Sequence, residues 1–177
     1  MWISFLAPET TGIGFNSTKE LELMKQLYDV DKLFNEARDI SEIRDSFINI
    51  ADRELKYRNF IDFTYLDVLK DIESFALAII YRENAIALKT INTGLMKIKN
   101  YIFERDFLID NGALVAASKV LYLCYLIRSG EGKIEKFDAR MELSGIEQFD
   151  LPVEYRKRLK SIKKSNKEAY YYITATY

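Results

Sequence analysis

The sequence predicts a mainly α protein: one helical domain over residues 1–177, a compact bundle of five to six helices with a short β-strand at each end. Three observations predict it. Apolar residues recur at steps of three and four through most of the chain, recognisable helix starts and stops separate these stretches, and only two prolines interrupt 177 residues. At 20.7 kDa and 49% hydrophobic, such a chain buries about 70% of its unfolded surface, enough for a core without disulfide or metal staples.

Residues 2–6, Trp-Ile-Ser-Phe-Leu, read as a strand, and Pro8 to Gly14 as a turn-rich loop. Ser17 and Glu20 fit a capping box, and Leu21, Met24, Leu27 and Tyr28 follow at helical spacing, which places the first helix over 18–37. Ser41 caps a second, with Ile43, Phe47, Ile50, Ala51 and Leu55 on one face and an end near Arg58.

The third helix, Phe63 to Tyr81, becomes apolar all round near Phe75-Ala-Leu-Ala-Ile-Ile80 and so belongs in the centre. The fourth, Ala85 to Phe103, carries Leu88, Ile91, Leu95, Ile98 and Ile102 as an a/d seam, which suits an intramolecular neighbour or a dimer partner, the first being favoured. Asn111 or Asp110 caps a fifth, Ala113 to Arg128, whose interior is apolar except for Ser118 and Lys119, and Gly130 stops it. Lys133 to Phe137 alternates like a short strand or is a loop. Pro152 then opens a last helix, Val153 to Lys164, capped near Asp150. The Tyr-rich tail 169–177 favours a strand, and pairing it with residues 2–6 would join the two ends in a small sheet.

The chain has no histidine and one cysteine, Cys124. That excludes Ser-His-Asp and Cys-His nucleophile systems, and it leaves too few ligands for zinc or iron–sulfur sites, so any bound metal is held by oxygen. Cys124 lies in the apolar run Val120 to Ile127 and reads as a small packed hydrophobe. No cofactor is expected. The N-terminal residues lack a secretory leader and that eight-residue run is too short for a membrane span, so a reducing cytoplasm is the expected location and a membrane is not an expected partner. Scarce Cys, Gln and His beside abundant Lys, Glu, Ile and Tyr suits an AT-rich genome or a heat-tolerant source such as an archaeon.

The sharpest functional feature is a charge asymmetry. Residues 154–177 contain Arg156, Lys157, Arg158, Lys160, Lys163, Lys164 and Lys167 against two acids, so this segment is positive by five and the remainder negative by six. Clustered cations neutralise phosphates, and Tyr170, Tyr171 and Tyr172 just beyond them offer rings on which bases stack. The expected role is a non-enzymatic binding or assembly protein that contacts nucleic acid through its basic C-terminal helix, an accessory subunit of a nucleic-acid-handling complex.

The same pattern fits a solvated helix face followed by packed tyrosines, or a basic helix docked on an acidic partner or on another subunit. The Gly12–Gly14 loop over residues 10–18 resembles a phosphate loop only in feeding a helix, since Lys19 follows Ser17 and Thr18 instead of preceding them. The pairs Asp67/Asp71, Asp106/Asp110 and Asp29/Asp31 are spaced to hold a hard cation, and equally to form polar helix faces, so a carboxylate-metal enzyme is the remaining alternative.

Overall fold

A computed structural model describes residues 2–15, 17–103, 107–130 and 133–177, with the side chains of Trp2 and Glu147 excepted. Among them are seven α-helices: α1 (Glu20–Glu36), α2 (Ile40–Tyr57), α3 (Tyr65–Tyr81), α4 (Ala85–Ile98), α5 (Gly112–Ser129), α6 (Val153–Ser165) and α7 (Lys167–Thr174). The fold is mainly helical, as the periodicity predicts, with seven helices among the described residues in place of the expected five to six, because the tail expected as a strand adds α7.

α5 is buried on nearly every face and packs against α1, α2, α3 and α7. Among the described residues it is the helix long and apolar enough to cross a membrane, and most of it lies inside the bundle. The predicted α4 seam faces α1 of the same chain, with Ile91, Leu95 and Ile98 buried. Gly94 sets how close the two helices come. A Cβ there would lie 2.4 Å from the Glu20 carbonyl oxygen and 2.5 Å from Met24 Cγ.

Several helix starts differ by a residue or two from prediction, because other side chains take the cap. Asp39, not Ser41, caps α2, accepting from the Ser41 amide at 2.7 Å. Thr64 and Asp67 form the capping box that opens α3. The predicted Ser17/Glu20 box is absent: α1 starts at Glu20 without a side-chain cap, and the Glu20 carboxylate instead takes Lys97 of α4 at 2.9 Å. Asn111 precedes α5 but makes no side-chain cap hydrogen bond.

Both terminal strands are corrected. Residues Trp2–Leu6 form a 3-10 helix, whose threefold repeat turns Ile3 and Leu6 together into the core. The tail is α7, capped by Asn166, whose side chain accepts from the Ala169 amide at 3.0 Å. Ala169, Tyr172 and Ile173 share one buried side, with Tyr170 beside them. Burying two tyrosines is worth roughly 2–3 kcal/mol each, against a spread of about 1 kcal/mol in strand propensity, so packing overrides local preference. Among the described residues the segment 133–137 contributes a single antiparallel bridge, Asp39 to Lys133, and no strand.

Candidate nucleic-acid interface

α6 is amphipathic. Leu159 and Ile162 are buried, Tyr155 and Arg158 are half-buried beside them, and the opposite side belongs to solvent. At 100° per residue, Lys157, Lys160 and Lys164 fall within about 60° of one another on that outer side. All three are exposed, as is Lys167 in the first turn of α7, and among the described residues none of the four has an ion-pair partner. Lys157 to Lys164 spans about 10 Å along the helix, long enough to face more than one phosphate of a duplex strand, whose charges advance roughly 3.4 Å each along the duplex axis.

The other three predicted cations serve the fold. Arg156 Nε donates to the Leu151 carbonyl at 2.7 Å, and its guanidinium lies 3.6 Å from Asp150. Arg158 Nε donates to the Ile80 carbonyl at 2.9 Å, satisfying a free acceptor at the end of α3, and it also bonds Asp110 at 3.0 Å. Lys163 donates to the Ser144 carbonyl at 2.9 Å with its ammonium 5.0 Å from the Tyr170 ring. Asp110 also bonds Arg82. Burial raises the Asp110 pKa, but the Arg158 and Arg82 guanidiniums outweigh this and hold its carboxyl below the usual range.

The tyrosine cluster does not stand open as expected. Tyr170 is 0% and Tyr172 2% exposed, so neither ring presents a face for a base. The Tyr170 hydroxyl donates to the Ser144 carbonyl at 2.8 Å, and the Tyr172 hydroxyl accepts from the Phe137 amide at 3.0 Å. Burial is the main cause that pushes the Tyr172 hydroxyl up to about 12. Tyr171 alone of the three is half-exposed, one helical turn from Lys167.

Comparison with known proteins finds no matching family model, no matching curated protein and no matching solved structure. The side chains carry the functional reading.

Most of the other sequence candidates among the described residues are absorbed by local structure. Asp67 caps α3, and Asp71 turns into the body, accepting from the Glu9 amide and the Thr10 hydroxyl, each at 2.8 Å. Burial raises the Asp71 pKa against these hydrogen bonds. Asp29 is exposed while Asp31 points inward, and Asp106 lies outside the described residues. Gly12 in the 10–18 loop is a close-approach glycine, since a Cβ would lie 2.3 Å from the Phe5 carbonyl oxygen. Cys124 is fully buried, which pushes its thiol well above the ordinary range.

Sequence reading missed a polar cleft of about 600 Å³ between α1, the first half of α5 and the α6–α7 junction. Its floor is Lys119, 3% exposed, whose ammonium donates to Asp31 at 2.8 Å and to Asn35 at 3.1 Å and pairs with Glu168 at 3.1 Å. Three acceptors match its three hydrogens, the arrangement that makes a buried ammonium tolerable. The signal in the sequence is one lysine inside an apolar helix. Lys136 lies nearby, 3.8 Å from the Phe34 ring centre and donating to the Phe34 carbonyl. Burial and the Lys119 charge lower its pKa to about 8, with Glu36 opposing.

Proposed function

We propose that this protein is a non-enzymatic binding and assembly subunit of the reducing cytoplasm that holds nucleic acid by its phosphates along the outer side of α6. The observation that carries this reading is the division of labour among seven cations. Arg156, Arg158 and Lys163 are turned to backbone carbonyls, while Lys157, Lys160 and Lys164 remain together in solvent on α6 and Lys167 is exposed at the start of α7. Maintaining like charges side by side costs stability, and a polyanion repays it. Tyr171, half-exposed beside Phe137 and Tyr172 with its hydroxyl donating to Glu135 at 3.2 Å, is the one ring of the cluster that a base could reach. Of the expected acids, Asp67 is engaged in a cap, Asp71 in hydrogen bonds to the Glu9 amide and the Thr10 hydroxyl, and Asp31 and Asp110 in ion pairs, which favours binding over metal-dependent chemistry.

Fluorescence anisotropy of labelled single-stranded and duplex DNA and RNA tests this. With four phosphate contacts, log K falls against log salt with a slope of about −3 on single strands and about −3.5 on duplex DNA. The variant Lys157→Glu/Lys160→Glu/Lys164→Glu loses binding, and Lys70→Glu/Lys89→Glu/Lys99→Glu, a matched change of exposed lysines elsewhere, does not. Absence of binding at low salt overturns the reading. Equal binding to polyglutamate moves it to an acidic protein partner on the same face.

A further inference from the structure

The loop between α2 and α3 places large apolar side chains in water and holds them there. Ile61 is 89% and Tyr57 83% exposed, with Phe63 and Leu66 also exposed. Such a tip on a loose loop would fold back on itself. This one is braced at both ends. The Phe60 amide donates to the Leu55 carbonyl at 2.9 Å and the Asn59 amide to Lys56 at 3.1 Å, with Asn59 left-handed at φ 60°: a Schellman ending for α2. Four residues on, the Thr64–Asp67 capping box starts α3. The Arg58 guanidinium ties the turn to the Thr10 and Gly12 carbonyls, and the Phe60 and Phe63 rings meet at 5.0 Å. The result is a preorganised apolar knob.

At the other end of α2 lies a hollow of about 370 Å³, floored by Val30, Phe34 and Leu123 and edged by Leu33 and Ile43. Its size lies near the lower end of pockets that accept a compact ligand, which suits one or two large side chains. The exposed charges around it are Glu36, Asp39, Glu42 and Asp45 against Arg38 and Lys133, whose backbone bridges to Asp39, whereas the exposed charges beside the knob are Arg53 and Lys56 against Asp62, with Arg58 paired to Glu54. Knob and hollow are thus both apolar and edged by opposite net charge, and 18 residues of helix set them about 27 Å apart.

We propose that the hollow receives the α2–α3 knob of a second copy of this chain, so that molecules associate head to tail. Because the two surfaces differ and lie at opposite ends of α2, one contact leaves a free knob and a free hollow, the condition for an open chain or a ring in place of a closed dimer. Small contacts of this kind are weak, and assembly grows with concentration. The inference is independent of the lysine stripe.

Sedimentation velocity of the full chain over a wide concentration range is the test, with circular dichroism confirming the fold of each variant. The wild type is expected to form a concentration-dependent series of species. Ile61→Asp removes the knob and Leu33→Asp spoils the hollow, both at exposed positions, and each weakens association by about tenfold or more. Mixed in equal amounts, the two variants retain one intact knob and one intact hollow, so they form 1:1 dimers and nothing larger. A wild type that stays monomeric throughout overturns the proposal. So does a mixture that stays monomeric while the wild type assembles, which would mean that the contact is not knob into hollow, and so does an Ile61→Asp variant that assembles as the wild type does.

Discussion

At the scale of single residues, two positions convert packing into measurable stability. Gly94 allows α4 to lie on the α1 backbone, and a methyl group there meets a carbonyl oxygen, which cannot move aside as a flexible side chain can. Gly94→Ala gains up to about 1 kcal/mol of helix propensity and loses about 1–3 kcal/mol to overpacking, so net destabilisation in urea is expected. A more stable variant would mean that the helices part at little cost. Lys136 makes the opposite case, a residue whose charge opposes folding. Its pKa falls from 10.5 to about 8, so below pH 8 it is protonated in both states and the whole penalty applies. Between 8 and 10.5 the folded chain has released a proton that the unfolded chain still holds, and stability gains as pH rises. Lys136→Met should therefore be more stable than the wild type at pH 7, with the advantage shrinking toward pH 10.5. Equal differences in urea midpoint at both pH values would refute it.

At the scale of elements, the Lys119 cluster joins α1, α5 and α7. Lys119→Met takes the buried cation from Asp31, leaving it only the more distant Lys32 at 3.6 Å, and should cost about 3 kcal/mol, whereas adding Asp31→Leu recovers most of the loss, because an apolar pair replaces a buried ion pair at little net cost. A double-mutant cycle in urea checks this, and additive losses would show that the two groups do not act together. Element type was legible wherever the apolar repeat was long: α2, α3 and α5 stand where steps of three and four predict them. It was not legible at the ends. A five-residue segment such as 2–6 is too short for periodicity to separate a 3-10 turn from a strand, and in the tail Tyr and Thr favour strands until α5 offers Tyr170 and Tyr172 a place to be buried.

At the scale of the whole molecule, charge is sorted. The C-terminal segment is positive by five and the rest negative by six, a separation that, under the proposed function, would steer a polyanion toward α6 and make binding fall steeply with salt. The basic segment was legible by counting, and the separation of its members was not. Arg158 and Lys157 are neighbours in sequence, yet one reaches the end of α3 and the other stands in water, because successive helical residues point 100° apart and only the location of the core decides which direction is inward. The sequence by itself determined the helical class, the central place of α3 and α5, the absence of histidine chemistry and the basic C-terminal segment, all of which follow from composition and local periodicity. Tertiary structure alone decided which lysines remain for a ligand, that the tyrosines are core, that Lys119 meets Asp31 across 88 positions of chain, and that the α2–α3 turn carries its apolar side chains outward. Contacts between residues far apart in sequence depend on how helices pack, and no local pattern encodes that.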